Sequence, residues 1–168
     1  MASELRVDKI VPTTGVPTGG GGGIVQITVG RLYSHISDST SASYMASGLI
    51  ATMTPRFSNS KFLLQMNGGR IKARAGSGIN VKMYVSINGG SYAVAYSGNR
   101  GDTFYYSSSG ESQIPHSFTD LYTPSSAITS TIAFQPYWNS FSGGQNSFNV
   151  SDSNSYGEVV LTIMEVSV

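Results

Sequence analysis

Hydrophobic and polar positions alternate singly along most of this chain. Val25, Ile27 and Val29 alternate with Gln26 and Thr28, and Phe62, Leu64 and Met66 alternate with Leu63 and Gln65. The longest such run is Ile79, Val81, Met83, Val85 and Ile87 against Asn80, Lys82, Tyr84 and Ser86. A period of two sends successive side chains to opposite faces of a β-strand, so each run predicts a strand with one buried face. Further strands are expected at Leu49–Met53, Ile71–Arg74, Tyr92–Tyr96, Asp102–Tyr106, Ser117–Tyr122, Ile128–Phe134, Ser147–Val150 and Glu158–Val168.

Turn residues punctuate these runs. Asn88-Gly89-Gly90 follows Ile87 at once and predicts a tight hairpin, because Asn-Gly supplies the positive φ angles such a turn needs. Gly68-Gly69 interrupts an alternating run and predicts a bulge or bend. The final run is apolar on both sides, with Val159, Leu161 and Ile163 opposing Val160, Met164, Val166 and Val168. Burial on both faces follows, under a partner subunit or under a loop. Helical periodicity is nearly absent. The expected fold is therefore all-β, an antiparallel β-sandwich or jelly-roll-like head over residues 24–168.

Residues 1–23 differ. Leu5, Val7, Ile10 and Val11 lie among charges, and Pro12, Pro17 and the run Gly19–Gly23 follow. Prolines and consecutive glycines support neither a helix nor an interior strand. This segment reads as an extended arm that docks elsewhere through those four apolar residues, or as a disordered tail.

Composition narrows the class. Of 168 residues only 11% are charged, 39% are hydrophobic and 20 are glycine, with cysteine absent. So little charge disfavours a helical bundle or coiled coil, and the apolar content disfavours charge-rich disorder. Without cysteine there is no disulfide framework, thiolate nucleophile or Cys-based zinc site. The N-terminus lacks the apolar core of a secretory signal, and no apolar run is long enough to span a membrane, so no membrane insertion is expected.

The net charge of +1 conceals a segregated layout. Residues 56–100 carry Arg56, Lys61, Arg70, Lys72, Arg74, Lys82 and Arg100 with no acid; residues 101–168 carry Asp102, Glu111, Asp120, Asp152, Glu158 and Glu165 with no Lys or Arg. Without a nucleic-acid motif or an aromatic stacking pattern beside the cations, the favoured reading is pairing between the two stretches, with no nucleic-acid partner.

Three stretches together resemble small tail-fibre-like virion structural proteins of tailed bacteriophages, of the marine and cyanobacterial type. They are Ser3–Gly15 running into the glycine string, Ser47–Pro55 with Ser58–Leu64, and the ending Val159–Val166 with its Met164-Glu165 pair. The resemblance implies an all-β head, a homotrimer, an N-terminal arm attached to the particle, and no enzymatic activity. Other phage structural proteins, of the tail or of the capsid, would be the partners, and the virion, assembled in the host cytoplasm, the location. A capsid decoration or cement protein without a receptor role is the alternative within that class.

Candidate chemistry is sparse. His35 and His116 are the only histidines and show no metal-ligand spacing, no Gly-x-Ser-x-Gly elbow or phosphate-binding loop occurs, and the scattered acids nominate no glycosidase pair, so no catalytic residue, metal or cofactor is expected. Arg100-Gly101-Asp102 reads as a surface turn, and the sequon at Asn149 as idle. The strongest binding signal is the aromatic run from Phe134 to Phe148. Pro136 and Gly143-Gly144 predict that part of it is a loop. Tyr137, Trp138, Asn139, Phe141 and Gln145 are the candidate receptor contacts, because aromatic rings stack on a sugar's C–H face while amides bond its hydroxyls. The ligand would be a host surface glycan. The competing reading makes Phe134, Trp138 and Phe148 core or subunit-interface residues.

Overall fold

Alternation becomes thirteen strands in the computed structural model, which describes residues 23–34, 36, 39–97, 102–149 and 157–167. In chain order they are β1 (Ile24–Leu32), β2 (Met45–Ala46), β3 (Ala51–Met53), β4 (Lys61–Gly68), β5 (Arg70–Ala73), β6 (Ser77–Ile87), β7 (Ala93–Val94), β8 (Asp102–Ser107), β9 (Ser112–Pro115), β10 (Phe118–Tyr122), β11 (Ile132–Phe141), β12 (Ser147–Phe148) and β13 (Val159–Val166). The candidate docking residues Leu5, Val7, Ile10 and Val11 lie outside the described residues, as do His35 and the Arg100-Gly101 part of the tripeptide.

Every pairing is antiparallel. One layer has the order β1-β13-β4-β10 and continues through β12-β5-β9. The other has β2 and β3 on one side of β11, then β6, then β7 and β8. Consecutive short strands act as single bent runs: β2 with β3, β4 with β5, β7 with β8, β9 with β10, and β12 with β13. Numbered as runs, the layers read 1-8-3-6 and 2-7-4-5, the strand order of a jelly roll.

The bend between β4 and β5 is at Gly68 and Gly69, with φ of 87° and 67°. A side chain there would be strained in that conformation and would also strike the Glu158 carbonyl or Val159. The predicted hairpin forms with Asn88 and Gly89 at φ of 54° and 72° and the Gly90 N–H bonded to the Ile87 carbonyl at 3.0 Å. Its return strand β7 is only two residues long.

Inner faces interlock as the alternation of β4, β6 and β13 requires, but β1 reverses the expectation, because Gln26 faces inward to Glu165 and leaves Ile27 and Val29 exposed. Leu64, Met66, Leu161 and Ile163 come from the first sheet and Ile79, Val81, Ile132 and Phe134 from the second. Phe62 and Tyr122 meet Phe134 across the layers, with ring centroids 6.2 and 5.2 Å apart. Burying a large apolar side chain stabilises the fold by roughly 1.5–3 kcal/mol, so this core is the main source of stability.

Two buried polar hubs fasten the loops. Glu165 is fully buried in β13, and its carboxylate accepts from the backbone N–H groups of Arg56 and Phe57 at 2.9 and 3.1 Å, from Ser60 Oγ at 2.6 Å and from Gln26 Nε2 at 2.7 Å. Asn146 is also fully buried. It accepts from the Arg74 N–H and Ser77 Oγ, each at 2.9 Å, and donates to the Gly78 carbonyl at 2.6 Å and Ser140 Oγ at 2.8 Å. Each hub replaces the water that its partners would otherwise lose on burial.

Candidate functional site

The aromatic run departs from its expected conformation. Tyr137, Trp138, Asn139 and Phe141 lie on β11, the long strand beside β6, and only Gln145 is in the following turn, where it is exposed. Pro136 is tolerated mid-strand because of what faces it. Its carbonyl accepts from the Ser47 N–H at 3.1 Å, so its missing N–H faces the same edge, at the gap between β2 and β3.

Strand geometry then separates the candidates. Trp138 is inward and only 1% exposed, within the core with Phe134 and Phe148, and it is unavailable to a ligand. Tyr137, Asn139 and Phe141 point outward, as alternate residues of a strand must. The sequence expectation is corrected in two respects. The surface is a sheet face instead of a loop, and Trp138 is not part of it.

That outer face carries more aromatics than the β11 run alone. Tyr137 stacks on Tyr84 of β6, with centroids 4.1 Å apart and planes at 23°. Tyr92 approaches Tyr137 at 6.1 Å and Tyr44 approaches Tyr84 at 6.2 Å, which extends the pair into a row of four tyrosines. The Lys82 ammonium lies 5.4 Å from the Tyr44 ring centroid, within cation–π range. Burial pushes the Tyr92 hydroxyl's pKa up, and neighbouring Tyr137 adds to the effect, so Tyr92 remains a neutral hydrogen-bonding group.

One row along the strands, Asn80 Nδ2 donates to Asn139 Oδ1 at 2.8 Å, and Asn139 Nδ2 donates to the Ala42 carbonyl at 2.7 Å. Beyond the amides, the Phe104 ring meets Phe141 edge-on at 5.6 Å and stacks near Tyr106 at 6.5 Å. Phe104, Phe141 and Tyr106 are 55%, 48% and 45% exposed. Tyr44, Lys82, Tyr84, Tyr92, Phe104 and Tyr106 were missed as site residues from the sequence. Their signal was present in the polar half of the β6 alternation and in the spacing of two between Phe104 and Tyr106. It required knowing that β8 pairs with β6, which puts Phe104 opposite Asn80.

Chemistry of other kinds finds little footing. Among the described residues, no cluster of His, Cys, Asp or Glu could hold a metal. His116 is buried against Phe148, with ring centroids 6.3 Å apart. Two depressions of about 250 and 240 Å³ are lined by Ser58, Asn59 and Pro124 and by Ala95, Tyr96, Leu121 and Tyr122, among others, and neither lining includes a carboxylate, a histidine or a lysine. Among the described residues the predicted charge pairing is seen in Arg74 Nη1 with Glu111 Oε2 at 2.8 Å. A second ion pair, Arg31 with Glu158, draws its cation from the first third of the chain. Lys72 of the cationic stretch 56–100 is buried within β5.

Fold and surface together define a jelly-roll β-sandwich with a broad aromatic–amide face and no recognisable catalytic constellation among the described residues. A scan against protein-family models and a search of curated proteins each gave no match.

Proposed function

We propose that this chain is a structural protein of a tailed-phage virion, a homotrimeric tail fibre whose β head binds a host surface glycan through the outer face of the β11–β6–β8 sheet. Residues 1–23 serve as the arm that docks on the tail. The observation that carries the binding reading is the row of half-buried Tyr44, Tyr84, Tyr137 and Tyr92 on the outer sheet face, with the Asn80–Asn139 pair beside it. Rings offer apolar area to sugar C–H groups, while phenols and amides offer directional bonds to hydroxyls. A flat sheet accommodates an extended polysaccharide better than a small molecule, which needs an enclosing pocket.

The test is binding of the purified full chain to an array of bacterial surface polysaccharides. The wild type should bind at least one, and Tyr84→Ala with Tyr137→Ala should lose at least tenfold in affinity while far-UV circular dichroism stays unchanged. A folded double variant that binds equally well overturns the assignment of this face.

A further inference from the structure

Glycan binding on one side of the sandwich leaves the opposite side, the outer face of the first sheet, without a role. Strand pairing sets Ile27 opposite Met164, Met164 opposite Leu63, and Leu63 opposite Leu121, so one apolar row crosses all four strands. Val29, Val160 and Val166 lie on the same face in neighbouring rows. Ile27, Val29 and Leu121 are 57%, 44% and 38% exposed. A sheet face left to water carries polar residues at such positions.

This face differs in kind from the aromatic one. Its row is aliphatic, which suits close packing against another apolar surface and gives a sugar nothing to stack on. Its cations stand at opposite ends, with Lys61 opposite Val166 and Arg31 opposite Val160, and Arg31 is neutralised by Glu158. The centre is therefore free of charge, and two like surfaces can meet without burying one. Four strands about 4.8 Å apart and a β13 of eight residues at about 3.3 Å each give a footprint of roughly 500 Å² per copy, or about 1,500 Å² over the three copies of a trimer.

We infer that the outer face of the β1-β13-β4-β10 sheet packs against a second copy of this chain. The inference rests on the homotrimer reading above and names the surface that would form it. Around a threefold axis each of these faces is shared between its two neighbours in a heterologous contact, and the three aromatic faces turn outward.

Sedimentation equilibrium of the full chain tests it, with Ile27→Lys and Met164→Lys as variants. Both positions point away from the core, so the variants should keep the β-sheet circular dichroism of the wild type. A trimer across the micromolar range that becomes a folded monomer in both variants supports the inference. A trimer that survives both substitutions overturns this face and leaves the trimer reading standing. A monomeric wild type overturns the face and the trimer together, while the polysaccharide assay judges the glycan reading separately. A dimer lost in the variants supports the face and rejects the threefold arrangement. Should the Lys variants fail to fold, a spin label at Thr162→Cys, on the same face of a chain with no other cysteine, should show dipolar coupling between copies. An oligomer without that coupling overturns the face.

Discussion

Acid should weaken this fold through one side chain, His116. It lies between β9 and β10, is 5% exposed, and rests its ring on Phe148. Neither Nδ1 nor Nε2 has a hydrogen-bond partner among the described residues. Burial without a partner penalises the imidazolium and lowers the His116 pKa from 6.5 to about 4. The unfolded chain therefore binds a proton below about pH 6.5 that the folded chain refuses until about pH 4. Stability from this site is complete above about pH 6.5, falls as pH drops through that window, and levels off below about pH 4. The full window corresponds to about 3 kcal/mol, of which about 2 kcal/mol is lost between about pH 7 and about pH 5. Urea unfolding followed by the fluorescence of the single tryptophan, the buried Trp138, reads it out. With a urea slope of about 2 kcal/mol/M the midpoint moves by about 1 M. His116→Phe keeps an aromatic ring on Phe148 and removes the titration, so its midpoint should move less between the two pH values by that amount, at equal protein concentration. Contributions from carboxylates cancel in the comparison. If variant and wild type lose equal stability between the two pH values, the assignment to His116 is wrong.

Two further outcomes follow from burial. Trp138→Ala should cost roughly 3–5 kcal/mol, because it empties a core site, and lower the melting temperature by on the order of 10 °C. A ligand-contacting tryptophan would instead lose binding with little change in melting. Glu165→Ala strands the Arg56 and Phe57 N–H groups and Ser60 Oγ, and should cost about 3 kcal/mol in urea unfolding. It should also release the 54–60 turn, so that trypsin cleaves after Arg56 at least tenfold faster; unchanged cleavage would mean that the turn does not depend on the carboxylate.

The resemblance to phage structural proteins rests on stretches whose conspicuous residues now have physical tasks. The Thr54-Pro55 turn and Ser60 are far in sequence from the Met164-Glu165 ending, yet the Glu165 carboxylate bonds Ser60 Oγ and the Arg56 and Phe57 amides at one buried point. Gln26 Nε2 donates to both the Thr54 carbonyl and Glu165, which ties β1 to the same point. Glu165, Ser60 and Gln26 therefore hold the fold together and are not on either proposed binding face, whereas Met164, beside Glu165, points to the opposite side of β13 and lies on the aliphatic face.

Alternation and turn chemistry alone determined much of this protein. A period of two can be satisfied only by a strand, so β1, β4, β6 and β13 were legible, and Asn88-Gly89 and Gly68-Gly69 marked a turn and a bend that few other residues permit. Segments whose signals conflict were not legible. Gly143-Gly144 does form the predicted turn, but Pro136 suggested a loop where β11 runs on, and only the gap between β2 and β3 explains how a proline sits in a long central strand. The two-residue β2 is too short to leave a pattern, and β12, within the Ser147–Val150 expectation, is no longer. Above all, a sequence shows that alternate residues share a face but not which faces of different strands coincide. Tertiary structure decided that Tyr44, Tyr84, Tyr92 and Tyr137 share one surface, that Ile27, Met164, Leu63 and Leu121 share another, and that Trp138 belongs to neither. The reason is register, since cross-strand neighbours are set by backbone hydrogen bonds between segments distant in the chain, and a slip of one residue would exchange every inward side chain for an outward one.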